Sequence, residues 1–324
     1  MSARAASPPA GAPVAAVTGG TGFIGGHVVK ALAASGWRVR LLVRRMPRLA
    51  GSEPPVEAVP GRLDEPEALR RFLDGAATVV HLAGAVSARG PQEFMAVNRD
   101  GTAALAAAWR EAAPEARFVL LSSLAARAPA VSPYAASKAA GEAALDAAPA
   151  RGAAAILRPG AVYGPGDRAA LGLLRTAFWP VQPVPAVPAA RIALVHARDL
   201  ARAVAAFAAP RAPGGLFEIA DGRPEGHGWR DIVEAACTAA GRRARPVGVP
   251  LALLRPLGRL GDLRARLGAA AMLTSGKLGE IAHGDWAAQA ARLAPRTLWA
   301  PEIALAPGFA ETLAWYRQAG WLDG

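Results

Sequence analysis

Cysteine is almost absent from this sequence: Cys237 is the only one in 324 residues. One thiol cannot close an internal disulfide, so the fold must rest on its core, and the chain suits a reducing cytoplasm. Cys237 lies in an Ala-rich helical pattern and reads as a buried structural thiol. Lysine is nearly as scarce, at Lys30, Lys138 and Lys277. The net charge of +12 therefore comes from arginine, and the arginines are scattered. No block of about five or six like charges marks a nucleic-acid surface. A general attraction for anionic ligands is the expectation instead. No uncharged apolar run reaches about 18 residues, so no membrane span is expected. The opening M-S-A-R-A-A-S-P-P-A-G-A-P lacks an apolar signal core and reads as a disordered arm over 1–12. No internal repeat is visible, and no metal site is expected.

What is present begins at Val14. Val14 to Val17 form a short apolar run, the pattern of a buried parallel strand. Gly19, Gly20, Gly22 and Gly25 follow, and Phe23, Ile24, Val28, Val29 and Leu32 predict a helix by their spacing. Strand, glycine turn and helix together present backbone N–H groups and a helix N-terminus to a phosphate. A Cβ on these glycines would block the approach of a pyrophosphate and restrict the turn. Trp37 to Val43 reads as a second strand, ending in Arg44-Arg45. An acid at that point suits the ribose 2′-hydroxyl of NAD, whereas arginine suits the 2′-phosphate of NADP. NADP is the expected cofactor, with NAD the alternative.

The string T-G-G-T-G-F-I-G resembles the short-chain dehydrogenase/reductase superfamily, and T-G-F-I-G resembles its extended branch. That branch holds nucleotide-sugar epimerases, dehydratases and many reductases. The resemblance implies an α/β fold, a Rossmann-type doubly wound parallel sheet over 13–170. A smaller, mostly helical substrate-binding region over 171–324 would return strands to that core. It also implies cofactor contacts at Gly19, Gly22, Phe23, Ile24 and Gly25.

Further along, Val56 to Val59 reads as a third strand, and a helix starts at Glu65 or Pro66 with Asp64 as its N-cap. The family carries Asp-Leu before that helix, beside adenine; here Arg62 replaces the Asp, and Leu63 remains. Thr78 to Gly84 reads as a fourth strand whose last residues, Leu82, Ala83 and Gly84, would lie along the cofactor. His81 reads as a packed strand histidine. Phe94 to Trp109 reads as one long helix whose N-x-x-G-T resembles a family segment, implying that Asn98 lies near the cofactor or supports the active site.

Arg117 to Ser123 reads as a fifth strand ending in two hydroxyls, and ligands bind at such strand ends. Tyr134 and Lys138 are four apart, hence on one face of a helix running to Leu145. A tyrosine of ordinary pKa about 10 is a poor base, and a nearby ammonium would bring the phenol towards working range. Ser123, Tyr134 and Lys138 resemble the superfamily's catalytic set. Arg158 to Gly166, R-P-G-A-V-Y-G-P-G, resembles a turn of the extended branch. It implies contacts from Pro159, Gly160 and Val162 near nicotinamide, with bracing of the turn the other reading for Arg158 and Tyr163. Phe178 to Pro188 is Pro-rich and reads as an apolar loop that caps the site. Arg191 to Leu200 reads as a strand resembling the family's H-V-x-D-L segment, with His196 and Asp199 structural. Phe217 to Ala220 is a further short strand, and Trp229 to Ala240 a helix. Phe309, Trp315, Tyr316 and Trp321 form an aromatic stripe that reads as packing.

Three functions stand on these residues. The first is an NAD(P)-dependent oxidoreductase moving hydride to or from a hydroxyl or carbonyl of a small, rather apolar substrate, with Tyr134 as acid/base. The second is a nucleotide-sugar epimerase or dehydratase, disfavoured by the apolar 178–188 stretch and the short Ser123–Tyr134 connection. The third is a non-catalytic NADP-binding sensor, disfavoured by the presence of Ser123, Tyr134 and Lys138 together. The expected partners are a small-molecule substrate and a second copy in a homodimer.

Overall fold

A computed structural model describes residues 11–45, 56–147, 153–267 and 273–322. The chain opens with strand β1 (Val14–Thr18), helix α1 (Phe23–Ala34), β2 (Arg38–Val43), β3 (Val56–Pro60), α2 (Pro66–Leu73) and β4 (Ala76–His81). It continues through α3 (Pro91–Met95), a π turn (Ala96–Asp100), α4 (Gly101–Ala112), β5 (Arg117–Leu121), α5 (Pro133–Asp146) and β6 (Ala154–Pro159). The short β7 (Ala161–Tyr163) leads to α6 (Ala169–Thr176), β8 (Gln182–Pro185), β9 (Arg191–Ile192) and β10 (Leu194–His196). Then come α7 (Ala197–Ala208), β11 (Gly215–Ile219), α8 (Trp229–Ala239) and β12 (Pro246–Val249). Last are α9 (Leu251–Arg266), α10 (Ser275–His283), β13 (Asp285–Trp286) and α11 (Leu305–Gln318).

Seven strands form one parallel sheet in the order β11-β6-β5-β4-β1-β2-β3. Helices cover both faces, which is why β1 is buried throughout. Ala15 and Val17 face a core built with Val28, Leu32 and Val204, while Ala16 faces another built with Phe72, Leu105 and Trp109. The strand order reverses between β1 and β4, and such a switch point opens a crevice at the carboxyl ends of the strands. The glycine turn after β1 and the Leu82–Gly84 segment after β4 both lie there.

His81 ties this point together. Its Nδ1 lies 2.6 Å from Thr18 Oγ1 and its Nε2 lies 3.0 Å from Thr102 Oγ1. Thr102 spends its own proton on the Asn98 carbonyl, so Nε2 must donate and Nδ1 must accept. His81 is a packed neutral histidine, and burial pushes its pKa down to about 3. The unfolded chain takes up the proton near pH 6.5. The stability due to neutral His81 is therefore complete above that pH and lost as pH falls towards 3. Denaturant titrations from about pH 7.5 to 4.5 should show unfolding free energy falling by up to about 1.4 kcal/mol per unit relative to His81→Gln. Parallel pH curves for the two proteins would contradict this.

A third core joins Leu174, Ile232, Cys237, Phe309, Leu313 and Tyr316. Trp321 stacks on Tyr316 and meets Trp315 edge-on, so the aromatic stripe is packing, and Cys237 is buried.

Several elements differ from the sequence reading. Asp64 does not cap α2: Glu65 holds that position, and Asp64 pairs instead with Arg62 at 2.9 Å. The stretch from Phe94 to Trp109 is three pieces, broken by the π turn that carries Asn98. The fourth strand ends at His81 and not at Gly84. Arg191 to Leu200 is two short strands followed by the start of α7, so Asp199 is helical. Within Phe178 to Pro188, Gln182 to Pro185 pairs in parallel with β12. Proline is tolerated there because a two-stranded ribbon is all edge.

Candidate active site

Three glycines after β1 have three separate duties. Gly19 has φ +71, and a Cβ on it would stand 2.6 Å from the Ala83 backbone nitrogen. It allows the turn to press against the end of β4. Gly25 faces back onto the turn, where a Cβ would meet the Gly19 carbonyl oxygen at 2.1 Å. Gly22 caps α1 with φ −81, so it is not there for a left-handed conformation. A Cβ on Gly22 would have the Gly19 oxygen, at 3.3 Å, as its near neighbour within the protein. The N–H groups of Phe23, Ile24 and Gly25, in the first turn of α1, have no intrahelical acceptor. Phe23 lies edge-on to His27, and Ile24 packs against the core.

The other residues expected on the nucleotide side follow. Arg44 and Arg45 are exposed where β2 ends. Leu63 packs on Gly101, whose Cβ would approach the Leu63 Cδ1 to 2.8 Å. Leu82 donates its N–H to the Thr18 carbonyl, and Ala83 donates to Thr18 Oγ1, both at 3.2 Å. Gly84 is exposed, and a Cβ there would lie 3.1 Å from Asn98 Oδ1 and 3.6 Å from Lys138 Nζ. This cradle of glycines around a helix N-terminus fits a dinucleotide.

Asn98 is a brace. Its Oδ1 accepts from Ala85 N–H at 2.8 Å, and its Nδ2 donates to the Ala85 carbonyl at 3.0 Å and to Ser137 Oγ at 2.8 Å. It thereby joins the segment after β4 to α5. The π turn aims the side chain there, one of the places where such turns serve a site.

The catalytic candidates meet at the end of β5. Ser123 follows that strand, accepts the Ala125 N–H at 3.2 Å, and is hydrogen-bonded to the Tyr134 side chain. α5 begins there because Ser132 accepts the Ala135 N–H at 3.0 Å and Pro133 occupies the first turn. Tyr134 and Lys138 then lie one turn apart. Tyr134 is pushed up to about 12, chiefly by burial and further by Glu280, against the hydrogen bond from Ser123. Lys138 is pulled down to about 8 by burial, against Glu142. Its ammonium donates to the Leu121 carbonyl at 2.7 Å. The ammonium thus sits on β5 and is not among the groups that shift the Tyr134 phenol, so the expected lowering does not occur in the protein alone.

Pro159 ends β6, and Val162 pairs with Val195 in the short ribbon of β7 and β10. Gly160 is needed for packing: a Cβ would stand 2.3 Å from the Ala193 oxygen, and its N–H donates to Ile219. Arg158 braces the turn through Glu142, with Nε 2.8 Å from Oε1. Ser122 donates to the same carboxylate. Tyr163 and His196 are buried ring against ring, and Asp199 accepts the N–H groups of Glu302 and Ile303. Sequence reasoning missed Glu142, although it lies one turn beyond Lys138. It also missed Glu280, which accepts the Ser132 hydroxyl at 2.8 Å across 148 residues of chain.

Comparison with known proteins identifies the family. The model of the NAD dependent epimerase/dehydratase family matches residues 15–220. A ceramide reductase of Caulobacter vibrioides is 42% identical over 313 residues, covering 95% of this chain and 96% of that one. Among solved structures, MoeE5 in complex with UDP-glucose and NAD has a TM-score of 0.69 at 24% identity, covering 95% of this chain and 99% of its own. The UDP-glucose 4-epimerase of Thermus thermophilus in complex with NAD has a TM-score of 0.66 at 23% identity, with 94% and 99% covered. At such identities the two structures speak for the fold alone. The family match, spanning both the glycine turn and the Tyr134–Lys138 helix, places the chain in the NAD dependent epimerase/dehydratase family, as an enzyme of the extended short-chain dehydrogenase/reductase type.

Proposed function

We propose that this enzyme uses NADPH to reduce a carbonyl on a long-chain, ceramide-type lipid, with Tyr134 as the proton donor. The observation that carries this reading is the likeness to ceramide reductase along nearly the whole of both chains. The geometry of the site supports it. Bound nicotinamide supplies the hydride. The Gly19–Gly25 turn and the first turn of α1 hold the pyrophosphate, Arg44 with Arg45 the 2′-phosphate, and Leu63 the adenine side. Leu82, Ala83 and Gly84 line the cofactor, and Pro159, Gly160 and Val162 flank the nicotinamide end. Lys138 holds the ribose, and the region from 171 onward receives the substrate.

Ser123 donates to the carbonyl oxygen and orients it. Tyr134, which burial keeps protonated, gives its proton to that oxygen as the carbonyl carbon is reduced to a secondary alcohol.

The test is turnover of an N-acyl 3-oxosphinganine, a simple aliphatic ketone and UDP-glucose, each with NADPH and with NADH. Turnover of UDP-glucose without the lipid ketone would overturn the assignment in favour of an epimerase or dehydratase. Cofactor choice has its own check. Arg44→Ala should weaken NADPH by about tenfold to a hundredfold, since it removes a charge-assisted contact, and leave NADH nearly unchanged. Equal affinity of the unmodified enzyme for both cofactors would remove Arg44 from the site.

A further inference from the structure

We infer that α9 and the adjoining β8–β12 ribbon dock this enzyme on an anionic phospholipid bilayer. α9 reads L-A-L-L-R-P-L-G-R-L-G-D-L-R-A-R. Leu253, Leu257, Leu260, Leu263 and Leu267 are 67%, 53%, 54%, 53% and 78% exposed. At about 100° per residue they fall within a sector of roughly 120° on one side of the helix. The other side carries Gly258 and Gly261, which are buried. Gly258 seats α9 on α10, where a Cβ would come within 2.5 Å of Leu278 Cδ1. An ordinary surface helix buries its leucines and exposes its small and polar residues. Here the order is reversed, and an exposed leucine stripe on a protein surface, here with Arg264 as its one charge, marks an interaction site.

Exposed apolar residues also precede α9 along the chain. Val247 of β12 is 51% exposed and pairs with Pro183 of β8, which is also exposed. Val181 and Trp179, just before β8, are exposed as well. β12 passes through Pro250 directly into α9.

The charges name the occupant. Arg255, Arg259, Arg264 and Arg266 of α9 are exposed, as are Arg242, Arg243 and Arg245 leading into β12. Asp262 is the one acid of α9, and it accepts the Ser275 N–H at 3.0 Å. Arg264 falls among the leucines, Arg259 and Arg266 border them on one side, and Arg255 lies further round; exposed leucines with such arginines fit the headgroup boundary, where leucines enter the acyl region and guanidinium groups reach phosphates. A second copy of the same face would bring arginine against arginine. α9 is too short and too charged to span a bilayer, and no described helix is long and apolar enough to do so.

The position suits the site. α10 lies between α9 and the start of α5: Gly279 packs on Val131, and Glu280 holds Ser132. Tyr134 follows two residues later, so a bilayer against α9 lies one helix away from the catalytic end of α5. Delivery of a lipid substrate from that bilayer rests on the proposed function; the docking itself rests on α9.

Flotation of the full-length protein with vesicles free of any ketone substrate separates the two. Vesicles of phosphatidylcholine with about 30 mol % phosphatidylglycerol should retain about tenfold more protein than phosphatidylcholine alone, and added salt should release it. Leu257→Gln/Leu260→Gln and Arg259→Glu/Arg264→Glu should each lower retention by about tenfold, with NADPH binding and thermal midpoint unchanged. The inference fails if the folded unmodified protein stays off anionic vesicles, or if both variants bind them as well as it does. It fails equally if the leucine variant only converts a dimer into a monomer.

Discussion

Replacing Tyr134 by phenylalanine is expected to slow single-turnover hydride transfer by about 10²–10⁴-fold and leave NADPH affinity nearly unchanged. The substitution removes one oxygen. The ring stays edge-on to Phe94, with centroids 6.0 Å apart, so the start of α5 keeps its packing. What is lost is the hydroxyl bonded to Ser123, the group assigned to pass a proton to the substrate oxygen. Lys138→Met should weaken NADPH binding, since the ammonium is assigned to the ribose. Burial brings Lys138 down to about 8, so its charge is complete well below that pH and lost above it. kcat/KM should therefore fall as pH rises through about 8. If Tyr134→Phe transfers hydride within about threefold of the unmodified rate, under 1 kcal/mol of barrier, Tyr134 is not the acid. Unchanged NADPH affinity in Lys138→Met would take Lys138 off the ribose.

The parts of this site that could be read from sequence are those whose partners lie close in the chain. The Val14–Val17 run, the glycines and the helix after them are one continuous segment, and β1, the turn and α1 stand where that segment placed them. Tyr134 and Lys138 needed only the helical repeat, and Ser132-Pro133 supplies a local reason for the helix to start there. Local signals failed where two neighbours offered the same service. Asp64 was the expected N-cap of α2, but Arg62 drew it away and Glu65 holds that position. They failed again where a strand turned into a helix inside one apolar stretch, as at Ala197.

Electrostatics was the least legible part. The Tyr134–Lys138 spacing suggests that the ammonium lowers the phenol. The assembled protein places that ammonium on the Leu121 carbonyl and brings Glu280 near the phenol from 146 residues away. The buried pair of Glu142 and Arg158 likewise joins a helix to a strand that no local pattern connects. Burial and long-range charge are properties of the packed fold, so the direction of the Tyr134 shift required the structure.

Gly22→Val is expected to abolish tight NADPH binding, raising its Kd at least about a hundredfold, while the protein remains folded. The choice of glycine matters. A side chain at Gly19 meets both a φ of +71 and the Ala83 backbone at 2.6 Å, and one at Gly25 meets the Gly19 oxygen at 2.1 Å. Those substitutions would break the turn itself, so their loss of binding would carry no information about a nucleotide. Gly22 differs on both counts. Its φ of −81 is open to valine, and its Cβ would approach the Gly19 oxygen at 3.3 Å, which a small shift relieves. The cost to folding is mainly that of a poorer N-cap, on the order of 1 kcal/mol. A valine at the N-cap nonetheless puts branched methyls beside the free N–H groups of Phe23, Ile24 and Gly25, where a pyrophosphate must make its backbone contacts. Circular dichroism and thermal melting should show a folded protein a few degrees less stable. Titration with NADPH, followed by its fluorescence, should then show the loss of affinity. Normal affinity in the folded variant would mean that the pyrophosphate does not lie on this turn, and the assignments of Gly19 through Gly25 would fall together.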